Sequence, residues 1–346
     1  MELQAFLSEV TAIPGTPGRE EAVSRYIASK FEEVCDDVRV DVMENVIARV
    51  GSQGPRIMIA AHLDEIGLVV SQIEEDGSIR FTRSGGVDPR ILPSMEVAVQ
   101  TQEGALFGVI GAKPPHLLSE SDRNKAIKLE DLYIDIGFSA EEVKKKVRVG
   151  DMVVMLAPYQ ELADHCAASK TMDDRASVAA MLECAKRLTR LNAKAQVFFV
   201  STSQEEVGSA GAVTAAYALD PDMAIAIDVT HGAGPGTGKF EAFPLDVVPL
   251  TMGPNIHPML LEKLIQAAQR HKVNYTIEVN GGVTWTDADP IQVARAGVPT
   301  VLISIPLRYM HTTVETLSLD TVHEAGRLMA EFIADIAEEW GNLKWY

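Results

Sequence analysis

Four short apolar runs constrain the fold of this chain most: residues 57–61, 197–200 and 224–227, which are unbroken, and 301–305, interrupted only by Ser304. Strands that are apolar at every position are covered on both faces, as in a parallel sheet flanked by helices. Helical spacing elsewhere agrees. Leu3, Phe6, Leu7 and Val10 fall on one helical face, and Thr16-Pro17 resembles a cap and first-turn proline opening a second helix through Phe31. Further helices are expected over residues 175–190 and from Asp320 to about Trp340, and a strand over residues 38–42.

Between the first apolar run and the other three the texture changes. From about Gly67 to about Tyr159, short alternating strands are expected at residues 68–72, 79–83, 96–99, 106–110 and 152–155. Turns such as Glu75-Asp76-Gly77 and Val149-Gly150-Asp151 separate them, and the charged segment 119–128 reads as a mobile loop. A chain of 346 residues, 47% of them hydrophobic, can fill two cores. The expectation is an α/β protein. Residues 1–67 and 163–346 form a discontinuous domain with a central mixed sheet flanked by helices; residues 68–162 form an inserted, small, all-β domain.

Composition removes several classes of function. A net charge of -18 disfavours nucleic acid and anionic membranes, which are bound by clustered Lys and Arg. Cys35, Cys166 and Cys184 are odd in number and widely spaced, so they read as reduced bystanders, neither a disulfide framework nor a zinc site. Residues 1–7 carry Glu2 and lack the basic start of an export signal, and no apolar run approaches about 18 residues. A cytoplasmic location is expected.

Ionisable residues stand where the apolar runs end. His62-Leu63-Asp64-Glu65 follows the first, Ser203-Gln204-Glu205-Glu206 the second and Asp228 the third, while His311 comes shortly after the fourth. In open α/β sheets, ligands bind at the carboxyl ends of the strands. One such coincidence is weak, because Glu205-Glu206 or Asp173-Asp174 alone is usually a solvated acidic pair. Four together point to one site. His62, His311, Glu206, Asp228 and Asp173 supply the imidazoles and carboxylates that a pair of divalent ions requires, one carboxylate being able to bridge. Nitrogen and oxygen donors suit zinc, admit cobalt or manganese, and argue against calcium. Two such ions would polarise a carbonyl and lower the pKa of a water between them. Asp64 can curl back to orient the His62 ring. Of Glu205 and Glu206, one can ligate while the other acts as general base. Asp174, just before a helix, has dipole stabilisation as an equal alternative.

These residues resemble the M42 family of metallopeptidases nearly end to end. The resemblance rests on Ala61-His62-Leu63-Asp64-Glu65-Ile66-Gly67, Met172-Asp173-Asp174-Arg175, Gln204-Glu205-Glu206-Val207-Gly208, Ala226-Ile227-Asp228-Val229 and the stretch from Arg308 through His311 to Glu315. Gly111-Ala112-Lys113-Pro114-Pro115-His116-Leu117 is similar too. The resemblance implies an aminopeptidase in which Asp173 bridges two ions, His62 and Asp228 complete one site, and Glu206 and His311 complete the other. It also implies Glu205 as base, Asp64 as the carboxylate behind His62, and an inserted, barrel-like domain that dimerises. Homodimers of the family often build hollow dodecamers.

Ser177 and Trp285 depart from the family pattern, the first beside the bridging motif and the second beside the substrate pocket. His116 reads as a loop residue; His165, His231, His257, His271 and His323 read as structural or surface positions. Residues 232–238 are glycine-rich without the context of a phosphate loop, and are expected to form a flexible loop near the pocket. Two other functions fit less well. An endoglucanase needs two carboxylates across a sugar bond and no histidine pair. A catalytically silent peptide-binding or assembly protein on the same fold has no reason to keep every expected position.

Overall fold

The computed structural model describes residues 3–121, 125–238, 242–343 and 345. Two helices, α1 (Leu3–Val10) and α2 (Glu21–Glu32), precede strands β1 (Asp37–Val40), β2 (Val46–Val50) and β3 (Arg56–His62). The chain then builds β4 (Gly67–Ile73), β5 (Ile79–Ser84), β6 (Glu96–Thr101), β7 (Gly104–Ala112), β8 (Leu132–Asp135), α3 (Ala140–Lys146) and β9 (Met152–Met155). It returns through β10 (Gln160–Glu161) and β11 (Cys166–Ser169) to α4 (Met172–Leu191), β12 (Gln196–Thr202), α5 (Ala210–Leu219) and β13 (Met223–His231). The last part comprises β14 (Val248–Met252), α6 (Pro258–Arg270), β15 (Tyr275–Val279), α7 (Ala288–Gln292), β16 (Thr300–Leu307), β17 (Glu315–Ser318) and α8 (Leu319–Glu339).

An eight-stranded mixed sheet runs in the order β1-β2-β12-β3-β13-β16-β14-β15. Its four middle strands, β12, β3, β13 and β16, are mutually parallel. These are the four apolar runs, and their near-complete burial explains why they show no regular polar alternation. Helices α4 and α8 pack together over one face, with Phe6, Phe31, Phe199 and Phe332 fully buried in the largest core. On the other face α5 and α7 cover a smaller core around Met58, Val200 and Ile291.

Strands β4-β5-β8-β7-β6-β9 close into an antiparallel barrel. Leu68, Val70, Ile79, Val97, Val99, Ile110, Ile134 and Val153 fill it as a separate core. Alternation along these strands is what a closed sheet with one inner and one outer face requires. The expected fold class, a mixed α/β sheet with an all-β barrel, is the observed one.

Local expectations need correcting at several points. The second helix starts at Glu21, not at Pro17. Gly18 takes φ +79°, left-handed backbone that ends a turn closed by Arg19 N–H on Thr16 C=O and cannot continue a helix. The strand expected to reach Val42 stops at Val40, because the Asp41 carboxylate accepts the N–H groups of Met43 and Asn45 and bends the chain. β2, which pairs with both β1 and β12, and the small sheet β10-β11-β17 were not anticipated. The segment expected to be a mobile loop falls in part on residues 122–124, which lie outside the described residues, as do Met1 and Glu2.

A buried polar cluster ties the β3 end of the sheet to the α4 helix. Glu65 accepts from Gly15 N–H (2.9 Å) and Lys170 Nζ (2.5 Å), with Arg175 Nη2 at 3.6 Å. Arg175, wholly buried, donates to the carbonyls of Leu63 (3.0 Å), Val10 (2.6 Å) and Ile13 (2.7 Å). The loop after His62 and the start of α4 are thereby fixed against each other. That contact sets where Asp173 and Asp174 meet His62.

Candidate metal centre

Four adjacent parallel strands deliver the polar residues to one end of the sheet. His62 ends β3; Glu205 and Glu206 follow β12; Asp228 lies within β13; His311 comes after β16. Asp173 and Asp174 open α4, but their backbone angles are not helical, so the regular helix begins at Arg175 as expected. The side chains of His62, Asp173, Glu205, Glu206, Asp228 and His311 all face one cleft of about 790 Å³.

Asp173 stands between the two imidazoles. Its Oδ1 is 3.0 Å from His62 Nε2, and its Oδ2 is 3.2 Å from His311 Nε2. Glu206 Oε1 lies 3.3 Å from the same His311 nitrogen. The other ring nitrogens are committed: His62 Nδ1 faces the Asp64 carbonyl at 3.2 Å, and His311 Nδ1 faces the Gly86 carbonyl at 3.1 Å. A carbonyl only accepts, so both Nδ1 atoms carry hydrogen, and in the neutral rings both Nε2 atoms present lone pairs to carboxylate oxygens. Facing lone pairs at this range repel unless a cation lies between them. Tetrahedral bonds of about 2.1 Å leave ligand atoms roughly 3.4 Å apart, close to the separations here.

The titration behaviour of the metal-free cluster says the same. Burial works to lower the His62 pKa, but Asp173 and Asp64 outweigh it and hold the ring well above its ordinary value. Burial is likewise overcome at His311, which Asp173 and Glu206 push up to about 11. Burial, with like-charged neighbours, drives Asp174, Asp228 and Glu206 upward and Glu205 up to about 9, His62 opposing the rise at Glu205. Asp173 alone falls, because the His311 and His62 hydrogen bonds exceed the cost of its burial. The cluster takes up protons wherever cations are not supplied. Its mixed imidazole and carboxylate donors fit divalent zinc, cobalt or manganese.

Two sets of potential ligand atoms lie within 4.8 Å of one another: His62 with Asp173 and Glu206, and His62 with Asp174 and Asp228. Asp174 is therefore part of the cluster, not merely a residue at a helix end. It is fully buried, its Oδ2 accepts the His62 backbone N–H at 3.2 Å, and its Oδ1 has no hydrogen-bond partner. Ser177, one turn along, buries its hydroxyl beside the Asp174 carboxylate and opposes the rise of its pKa.

Several supporting groups escaped the reading of the sequence. Asp64 does face His62, but through its carbonyl more closely than its carboxylate, which is 3.6 Å from Nδ1. The carboxylate instead accepts the backbone N–H groups of Glu205 (3.0 Å) and Glu206 (3.2 Å) and so fixes both glutamates. Glu315 spans the cluster from behind, accepting from His311 N–H at 2.8 Å and Asp173 N–H at 3.1 Å. Its place four residues after His311 was visible, its role was not. The buried Asp287 accepts from Thr202, and Trp285 is 84% exposed at the rim of the cleft. His231, read as a structural or surface residue, also lines the cleft, next to the glycine-rich segment.

The barrel reaches the cluster through Gly85 and Gly86, just after β5. A Cβ at Gly86 would stand 2.5 Å from His311 Nδ1 and 2.7 Å from Cε1, and the same residue supplies the carbonyl that fixes the ring. Gly86→Ala is expected to displace His311 and lower kcat/KM by about 10- to 100-fold, with a matching loss of metal affinity. Parallel measurements of kcat/KM and bound metal check it.

Comparisons with known proteins identify a family for the chain. The family model for M42 glutamyl aminopeptidase matches residues 44–328. A lysyl aminopeptidase of Pyrococcus furiosus is 32% identical over 336 residues, covering 96% of each chain. The solved TET aminopeptidase of a marine sediment archaeon of the Thaumarchaeota is 32% identical, covers 98% of each chain and superposes with a TM-score of 0.92. The TET1 peptidase of Pyrococcus horikoshii, described as assembling into a tetrahedron or a large octahedral shell, is 33% identical with a TM-score of 0.85, covering 96% of this chain and 99% of its own. The chain belongs to the M42 aminopeptidase family, metal-dependent hydrolases that act on peptide bonds.

Proposed function

We propose that the chain is a dinuclear metalloaminopeptidase that removes the first residue of a peptide. The observation that carries this reading is Asp173, whose two carboxylate oxygens each face the free nitrogen of a different imidazole. In this reading Asp173 would be shared between two divalent ions, most suitably zinc. His62 and Asp228 would hold one ion, with Asp174 beside them, and Glu206 and His311 would hold the other. Bound there, the ions would polarise the scissile carbonyl and make water a better nucleophile.

The remaining steps belong to the protein. Glu205 projects into the cleft beside His62, its Oε2 3.9 Å from Nε2, and it takes the proton of the attacking water. The same carboxyl then passes that proton to the leaving amine. Asp64 holds Glu205 through the backbone, so the base is placed by main-chain geometry and not by a loose side chain. Crowding of the carboxylates onto two imidazoles favours this chemistry over a glycosidase, whose two carboxyl groups act alone across a sugar.

We assign residues 1–67 and 163–346 to the catalytic domain and residues 68–162 to a dimerisation domain. Exposed apolar side chains on the barrel, Phe107, Val109 and Phe138, support a homo-oligomeric contact there. A dimer, assembled further into a hollow dodecamer, accords with the shells described for the Pyrococcus horikoshii relative. Three free cysteines accord with a cytoplasmic setting. Among the described residues no helix is long and apolar enough to cross a membrane.

Stepwise metal titration tests the reading. Chelated protein is expected to lose hydrolysis of aminoacyl chromogenic substrates and to recover it only with the second equivalent of zinc, cobalt or manganese. Full activity at one ion per chain would refute the dinuclear assignment. Chelator-insensitive cleavage of cellulose would refute the peptidase reading itself.

A further inference from the structure

On the wall of the cleft stands a carboxylate that the chemistry above does not use. Glu278, on the edge strand β15, lines the cleft with Asp228 and Thr230. Its Oε1 accepts from Thr230 Oγ1 at 2.6 Å; its Oε2 accepts from Ser304 Oγ at 3.0 Å and Thr251 Oγ1 at 3.3 Å. Three strands, β13, β16 and β14, thus each contribute one neutral hydroxyl to hold it.

Strand geometry fixes where this carboxylate lies. Thr230 is two residues beyond Asp228 on β13, so the two side chains share a face of the sheet, roughly 7 Å apart along the strand. Ser304 is the register partner of Asp228 on β16. The Glu278 carboxylate is therefore one strand step from the candidate metal cluster and on the same side of the sheet. A side chain on the first residue of a peptide bound at the cluster has that distance to cross.

The rest of the cleft offers no competing charge. Among its described lining residues there is no lysine or arginine. Asp289, the other acid away from the cluster, accepts from Asn255 Nδ2 and from the fixed backbone N–H groups of Thr284 and Trp285, whereas the three groups on Glu278 are hydroxyls that can rotate to face a new partner. Val283 and Trp285 line the mouth as apolar walls, 52% and 84% exposed. A cleft without lysine or arginine, entered past Val283 and Trp285 and carrying a carboxylate on its wall, matches an aliphatic stem that ends in a cation. A glutamyl or aspartyl side chain would meet like charge there, and a leucyl side chain would strip water from Glu278 and give it no partner.

We propose that Glu278 recognises a lysyl or arginyl side chain at the amino end of the substrate, making this a peptidase for basic first residues. The assignment rests on the aminopeptidase reading and goes beyond it by naming the substrate class. The test is kcat/KM of the metal-loaded enzyme on lysyl, arginyl, leucyl and glutamyl p-nitroanilides, for the wild type and for Glu278→Gln, which keeps the size of the side chain and removes its charge. The wild type is expected to favour the lysyl and arginyl substrates. In Glu278→Gln the lysyl-to-leucyl ratio of kcat/KM is expected to fall about 10- to 100-fold, the scale of a charge-assisted hydrogen bond. The relative loss on lysyl and arginyl substrates shows which head group the carboxylate fits better. A wild-type preference for glutamyl or leucyl substrates, or an equal loss on all four in the variant, would overturn the assignment and leave the peptidase reading standing. Absence of turnover on every substrate would overturn both.

Discussion

Glu205→Gln is expected to lower kcat by about 10²- to 10⁴-fold while leaving fold and metal content unchanged. The reasoning starts from position. Glu205 follows β12 on a short turn whose N–H groups are held by the Asp64 carboxylate, so an isosteric amide keeps the same backbone contacts. The side chain faces the cleft beside His62 and is not among the closest sets of potential ligand atoms. A general base needs proton affinity near the working pH. Burial, together with Asp228, Asp287 and Glu206, supplies it, raising the carboxyl from 4.5 to about 9 before ions are bound. An amide has no such affinity. Glu206→Gln provides the contrast, since Glu206 sits 3.3 Å from His311 Nε2 and its replacement should weaken metal retention as well as turnover. Near-normal kcat in Glu205→Gln, or loss of its metal, would remove Glu205 from the role of base.

The parts of this molecule that were legible in its sequence are those governed by local periodicity. Residues 57–61, 197–200, 224–227 and 301–305 announced buried strands because burial on both faces leaves no polar alternation, and these runs became the parallel middle of the sheet. Polar residues at their carboxyl ends marked one crevice, and there the structure brings His62, Glu205, Glu206, Asp228 and His311 together with Asp173. What stayed hidden depends on contacts between distant segments. Asp64 and Glu205 are 141 positions apart, and Gly86 and His311 are 225 apart; no spacing rule in either segment foretells those hydrogen bonds. Glu278 illustrates the same limit. Within its own strand it is one acidic residue on an edge, and it acquires meaning only when Thr230, Thr251 and Ser304 arrive from three other strands.

These long-range contacts also change how the inserted barrel is understood. Its strands follow from alternation, and its exposed apolar side chains suit a contact between copies. Yet Gly86, at the exit of β5, accepts from His311 Nδ1 and leaves room for the ring. Gly85, beside it, would bring a Cβ to 3.2 Å from Glu206 Oε2. The insert is thus packed against the half of the cluster formed by Glu206 and His311. Rearranging the barrel at a subunit contact would be felt at those two residues first.

Removing the metal is expected to make stability fall as pH rises from about 5 to 9, and restoring it to flatten that slope. Without ions, Glu205 moves from 4.5 to about 9, Asp287 from 3.8 to about 6 and His311 from 6.5 to about 11, while His62, Asp174, Glu206, Asp228 and Glu315 also move upward. Each raised group holds its proton more tightly folded than unfolded, so its contribution is complete below the unfolded pKa and is lost as pH climbs toward the folded one. Asp173 is the exception, shifted downward, but its contribution is already complete above its ordinary 3.8 and adds no slope in this window. These groups therefore hold more protons in the folded chain than in the unfolded chain between pH 5 and 9, and their contribution to stability declines as pH rises. Divalent ions replace those protons with charge that does not titrate away. Each ion held at about a thousand times its Kd adds roughly 4 kcal/mol. In a chain of this size that corresponds to several degrees per ion and to a Tm difference of about 10 °C or more at pH 8. Thermal unfolding across pH 5 to 9, with chelator and with zinc, measures both slopes. Parallel slopes in the two series would mean that protons and metal ions do not share this cluster.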